Sequence, residues 1–181
     1  MKLSIISTSQ QKNSQSKRVS EIFKNLILEI DNKIECFNLD MFENKIPLWT
    51  SEKGEELSFW KDHQDKISNH LKASDGFIFI VPEYGGMASP SAKNFFLVFN
   101  NGELFHKPGL IVSISSGNGG AYPISELRSS SYKNTHVLWI PENIIIRNVN
   151  QFLPGKHGEI IPEWMDDRIK YSLNLLIKYS E

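Results

Sequence analysis

Three polar or glycine-rich runs hold the residues whose types and spacing suit ligand chemistry. The first is Ser7-Thr8-Ser9-Gln10-Gln11-Lys12-Asn13-Ser14-Gln15-Ser16, polar throughout and leading straight into a helical pattern. Hydroxyls, amides and the unpaired N–H groups of a helix N-terminus suit a phosphate, which also gains from the positive end of the helix dipole. An ordinary serine-capped loop has the same composition, because Ser and Asn cap helices of every kind. The second run is Pro82-Glu83-Tyr84-Gly85-Gly86-Met87-Ala88-Ser89-Pro90, with Lys93 and Asn94 on the helix that follows. Glycine lacks a Cβ, so Gly85 and Gly86 can bring backbone N–H groups close to a flat ring while Tyr84 packs on an aromatic face; a tight turn is the plainer alternative. The third run is Ser115-Ser116-Gly117-Asn118-Gly119-Gly120-Ala121-Tyr122. Converging on one edge, the three favour a planar phosphorylated ligand over three unrelated turns.

Other chemistries lack their signatures. There is no Walker A pattern, no Gly-x-Gly-x-x-Gly and no Gly-x-Ser-x-Gly nucleophile elbow. The histidines, His63, His70, His106, His136 and His157, show no zinc spacing, and no metal is expected. His63 and His70 stand seven residues apart, where a metal pair on one helix sits three or four apart. Cys36 is the lone cysteine, so no internal disulfide can form; in a strand pattern it reads as a buried, inert thiol in a reducing compartment. With 20 Lys and Arg against 21 Asp and Glu, nothing in the charge favours a nucleic-acid or membrane-surface partner. Leu3 to Ile6 is too short for a signal-peptide core, and the longest apolar run, Gly76 to Val81, is strand-sized. A soluble, cytoplasmic protein with no membrane partner is expected.

Elements alternate to place those runs. Strands are predicted at Lys2 to Ile6, Lys33 to Leu39, Asp75 to Val81 with Pro82 ending it, Pro108 to Ser115 and Thr135 to Ile140. Helices are predicted at Ser16 to Ile30, from about Glu55 to Lys72, at Ser91 to Asn100 and at Tyr122 to Ser131. A last helix carries Trp164, Ile169, Leu173, Leu176 and Ile177, after an irregular stretch from Pro141 to Pro162. Within that stretch, Ile144-Ile145-Ile146 reads as a partner contact or a short extra strand. Phe77 to Val81 is apolar at every position, as a parallel strand covered on both faces should be. Alternation over residues 1–181, with no linker, means one α/β domain: a parallel sheet, helices on both faces, and ligands beyond the carboxyl ends of the strands. Trp49, Trp60, Trp139 and Trp164 read as core or subunit-interface residues, with Trp49 placed either to cover a ligand or to pin its own long loop.

Pro82-Glu83-Tyr84 followed by Lys93-Asn94, Ser9 and Ser14 in the first loop, Pro47-Leu48-Trp49, and Ser115 to Gly120 followed by Leu127-Arg128 together resemble the NADPH-dependent FMN reductase family. That resemblance implies a flavodoxin-like three-layer sandwich with a five-stranded parallel sheet in the order 2-1-3-4-5. It also implies FMN held at the carboxyl edge, NADPH or NADH as co-substrate, and a homodimer or dimer of dimers that completes the flavin site. The phosphate would be held by Ser9, Gln11, Ser14, Gln15 and Ser16. The ring would be held by Pro82, Glu83, Tyr84, Gly85 and Gly86 together with Ser116, Gly117, Asn118 and Gly119. No side chain is required as acid or base, since the flavin carries the chemistry. The expected reaction passes electrons from NAD(P)H through FMN to a quinone, free flavin or other small aromatic acceptor. The sequence departs from the family pattern at several positions: Thr8 replaces Gly, Gln11 replaces Arg, Gly85 replaces Asn, Ala92 replaces Leu, and Pro90 falls one residue late. The alternatives are a flavodoxin-type electron carrier, which the near-zero net charge disfavours, and a relative that has lost tight FMN binding.

Overall fold

The computed structural model describes residues 1–51, 58–152 and 161–181. The sheet is built from β1 (Lys2–Ser7), β2 (Glu35–Asp40), β3 (Gly76–Tyr84), β5 (Pro108–Ile114) and β6 (Leu138–Ile146), all parallel and in the spatial order β2-β1-β3-β5-β6. A two-residue strand, β4 (Met87–Ala88), pairs antiparallel with the end of β3. With β4 set aside, this is the expected order 2-1-3-4-5.

The helices are α1 (Gln15–Ile30), α2 (Ser58–Lys72), α3 (Pro90–Val98), α4 (Ala121–Ser130), α5 (Tyr132–Thr135), α6 (Val149–Phe152) and α7 (Glu163–Ser180). The start of α2 expected near Glu55 falls outside the described residues, as does His157. Strand residues alternate between two cores. Ile5, Ile78, Ile80 and Val112 pack with Val19, Phe23 and Ile27 of α1 and Ile169, Leu173 and Leu176 of α7. Ile6, Phe77, Phe79, Val81 and Ile111 pack with Leu71 of α2, Phe95 of α3, Phe99 at its C-cap and Leu127 of α4. The central strands are therefore sealed on both faces and can open to a ligand only at their ends. Register brings those ends level, since Ser7 pairs with both Asp40 and Ile80, and Ile114 with both Pro82 and Ile146.

Two strands, β3 and β6, differ most from expectation. Pro82 does not end β3, which runs on to Tyr84. The Ile80 carbonyl faces β1, where it accepts the Thr8 N–H at 3.0 Å, so Pro82, two residues on, faces the same side. There β1 has already ended, and the missing proline N–H removes no ladder bond. The fifth long strand is not Thr135 to Ile140: Thr135 belongs to α5, and β6 continues through Pro141 to Ile146. β6 is an edge strand, and the register slips from Gly109 opposite Trp139 to Ile111 opposite Asn143, an irregularity that accommodates the proline. Ile144-Ile145-Ile146 is thus strand interior, opposite Val112, Ser113 and Ile114. Trp60 is buried and Trp139 packs against the second core, whereas Trp164 is 63% exposed and lies outside the core.

Candidate functional site

Thr8, immediately after β1, is fully buried and ties the first loop to the third strand and its helix. Its Oγ1 donates to the Ile80 carbonyl at 3.0 Å and lies 2.9 Å from Ser89 Oγ, while its carbonyl accepts from Ser89 Oγ at 2.8 Å and from Ser91 Oγ. A glycine could make none of the hydroxyl contacts, so the departure at this position serves as bracing. Ser9 Oγ accepts the Gln11 N–H at 3.2 Å and lies 2.9 Å from Tyr84 Oη, which joins the first loop to the second. Ser14 caps α1, its Oγ accepting the Lys17 N–H at 3.1 Å. Ser16, in the first helical turn, is 1% exposed and its Oγ has no partner. Gln11 is exposed and Gln15 half-buried. Lys17 does not supply the cation missing at Gln11, because it pairs with Glu43. Arg18 has no such partner: Nη1 donates to Gln15 Oε1 at 3.3 Å, and Nη2 is buried without a hydrogen-bond partner.

The second loop is a hairpin turn. Glu83 pairs with Ala88 and Tyr84 with Met87, leaving Gly85 and Gly86 as a two-residue connection with φ of 59° and 78°. Paired left-handed residues are the geometry of a type I′ turn, which glycine adopts without strain. The plainer reading of this loop is therefore correct for its backbone, and the Gly85 departure from Asn removes an amide without disturbing the turn. Glu126 accepts the Ala88 N–H at 2.6 Å and pairs with Lys93, which anchors the hairpin on α3 and α4. Burial alone would raise the Glu126 carboxyl, but Lys93 and the Ala88 N–H outweigh it and hold it below the usual carboxylate range.

The third loop is held from both sides. Arg147 Nε donates to the carbonyls of Asn118 at 2.8 Å and Gly119 at 3.1 Å, and the Asn148 N–H donates to the Gly117 carbonyl at 2.9 Å. In a planar trans peptide the N–H points opposite to the carbonyl. The N–H groups of Asn118, Gly119 and Gly120 are thereby turned away from the Arg147 side. That of Gly120 meets Glu83 Oε2 at 2.5 Å, while those of Asn118 and Gly119 have no partner among the described residues. A Cβ on Gly119 would lie 2.3 Å from Glu83 Oε1, so the carboxylate fills the space that any larger residue would need. Glu83 is accordingly a crosslink between the second and third loops, and Pro82 is buried in the sheet. Ser116 is exposed, and a Cβ at Gly117 would meet nothing within 4 Å.

Asn94 carries the last brace. Its Oδ1 accepts the Trp49 N–H at 2.7 Å and its Nδ2 donates to the Pro47 carbonyl at 2.8 Å, so α3 straps the Pro47-Leu48-Trp49 segment beside the sheet edge. Trp49 is half exposed, and Leu48, Met87 and Tyr122 are more exposed still. Arg147 and Asn148 escaped the sequence reading because β6 was ended too early. Extending that strand through its isoleucine run puts both at the carboxyl edge. Among the described residues no cluster of His, Cys, Asp and Glu could hold a metal, and no helix is long and apolar enough to cross a membrane.

The family model for NADPH-dependent FMN reductase matches residues 1–151. An NADPH azoreductase from Bacillus sp. (strain OY1-2) is 23% identical over 181 residues, spanning 100% of this chain and 96% of the relative. Among solved structures, FerB, a flavoenzyme NAD(P)H:(acceptor) oxidoreductase from Paracoccus denitrificans, superposes with a TM-score of 0.75 at 15% identity over 99% of this chain and 96% of its own. The apo form of an NADH:FMN oxidoreductase (EMOB) superposes with a TM-score of 0.74 at 12% identity over 98% of this chain and 89% of its own. At such identities the structural likeness speaks for the fold.

Proposed function

The chain belongs to the NADPH-dependent FMN reductase family, and from that premise we propose that its three carboxyl-edge loops hold FMN for electron transfer from NADPH or NADH to a small aromatic acceptor. The acceptor class is a quinone, free flavin or azo compound. The observation that carries this reading is the orientation of the third loop, whose carbonyls are held outward while the N–H groups of Asn118 and Gly119 are left unpaired. Unpaired, preorganised donors suit the carbonyl-bearing edge of a flavin ring. At the other end of the cofactor, the orphaned Ser16 hydroxyl in the first turn of α1 fits a phosphate oxygen, and Arg18 supplies a nearby cation.

Bound FMN supplies the electron-transfer chemistry. The protein's residues bind and orient it: Ser9, Gln11, Ser14, Gln15 and Ser16 at the phosphate, Pro82 to Gly86 along the ring, and Ser116 to Gly119 at its far edge. Tyr84 and Ser9 keep the phosphate and ring loops in register, and Glu83 keeps the two ring loops together. Leu48, Trp49, Met87 and Tyr122, exposed around the same edge, are the surface a second copy would cover in a homodimer or dimer of dimers; that copy would exclude water from the ring. The reaction belongs to the cytoplasm, where NADPH is supplied.

The test is direct. Purified protein that takes up FMN, turns yellow and oxidises NADPH only when a quinone or azo dye is present supports the reductase. Protein that remains colourless with added FMN sinks it, and protein that binds FMN but reduces only a protein partner is a carrier.

A further inference from the structure

Resting on the FMN reading above, we propose that Glu83 and Arg147 are opposed charges that set how much more tightly this protein holds reduced than oxidised FMN, with Glu83 disfavouring the reduced form and Arg147 favouring it. Both touch the same short stretch of backbone from opposite sides. Glu83 Oε2 accepts the Gly120 N–H at 2.5 Å, so the carboxylate stands on the side to which the free N–H groups of Asn118 and Gly119 point. Arg147 Nε grips the Asn118 and Gly119 carbonyls behind it. Neither side chain belongs to an ion pair among the described residues, so neither charge is cancelled locally.

The electrostatics follow from the cofactor's charge balance. On taking up two electrons and one proton, FMN gains one negative charge. A carboxylate on the ligand side of the loop opposes that gain, and a guanidinium behind it assists, with the aligned peptide dipoles between them. Glu83 lies on the nearer side and is half-buried, while Arg147 is exposed and more strongly screened, so the Glu83 effect is the larger. A purely mechanical brace would behave otherwise. Loosening the loop would weaken oxidised and reduced FMN together and leave their ratio unmoved.

The experiment is a midpoint-potential measurement on the FMN-loaded protein, reduced stepwise by xanthine and xanthine oxidase against a reference dye, with FMN affinity measured separately by fluorescence quenching. Glu83→Gln keeps the side-chain volume and an oxygen to accept the Gly120 N–H. It should raise the preference for reduced over oxidised FMN by about tenfold, which is about 30 mV for a two-electron couple. Arg147→Gln should lower that preference by roughly threefold, the smaller effect of a screened charge. Arg147→Lys keeps the charge but loses the Nε–H shared by the Asn118 and Gly119 carbonyls, so FMN should bind more weakly while the potential stays near wild type. Shifts of the same sign in Glu83→Gln and Arg147→Gln, or potentials unmoved while FMN affinity falls, overturn the charge role and leave the FMN reading standing. A wild-type protein that takes up no FMN overturns both.

Discussion

Gly119→Ala is the sharpest test of how the loops are locked together. The three atoms nearest a Cβ at this position are all from Glu83, at 2.3 Å for Oε1, 2.9 Å for Cδ and 3.2 Å for Oε2. The side chain must swing away, and its bond to the Gly120 N–H is then lost. A hydrogen bond to a charged group contributes about 1.5–3 kcal/mol, and since Glu83 is only half-buried the lower end applies, about 1.5–2 kcal/mol. For a chain of this size that loss lowers the melting temperature by about 3–8 °C. The discriminating measurement is a double-mutant cycle, with denaturant unfolding of FMN-free wild type, Gly119→Ala, Glu83→Ala and the double variant. With the carboxylate gone, the three atoms nearest the new Cβ are removed, and the alanine restricts the unfolded chain. Its cost should then vanish or become a gain of about 0.4–1 kcal/mol. If Gly119→Ala costs the same in both backgrounds, the steric and hydrogen-bond account of Glu83 is wrong.

Three further outcomes follow from the same bracing. Asn94→Ala removes both bonds to the Pro47-Leu48-Trp49 strap and should cost about 2–3 kcal/mol in urea unfolding, with faster tryptic cleavage after Lys45 as the local readout. Because the folded Glu126 carboxyl is held below its unfolded value, its contribution is present above the unfolded pKa and lost as pH falls through the folded one. The stability difference between wild type and Glu126→Gln should therefore shrink on acidification, and a difference independent of pH would contradict it. Burial pushes the Cys36 thiol up, against the pull of Lys24. Its reaction with a disulfide reagent should accelerate at higher pH in the folded protein than in guanidinium-unfolded protein, and coincident pH profiles would refute the shift.

Much of the fold was legible because its signals are local. A short all-apolar, β-branched and aromatic run such as Phe77 to Val81, followed by Pro82, reads as a strand sealed on both faces, and the alternation with amphipathic helices leaves a doubly covered parallel sheet. The two strands ended too early share one cause. Pro82 and Pro141 read locally as strand breakers, yet each sits where no ladder bond is lost, a fact that depends on which neighbouring strand has ended or lies at the edge. The site was legible as three loops but not as a structure. Glu83, grouped with the ring loop by its motif, is a crosslink to Gly120, and Arg147, which orients the glycine-rich backbone, lies in a segment that carries no motif at all.

By itself, the order of residues determined the fold class, the edge at which a ligand must bind and the family, because hydrophobic periodicity, turn chemistry and short motifs are written over a few neighbouring positions. Only the tertiary structure decided what each polar residue in those loops is free to do. Thr8 is committed to Ile80 and Ser89, Ser9 to Tyr84, Lys17 to Glu43 and Asn94 to the Trp49 strap, while Ser16 and the N–H groups of Asn118 and Gly119 remain unpaired. A polar atom can bind a ligand only with hydrogen-bonding capacity that its own fold has not already used, and that balance is set by contacts between residues tens of positions apart.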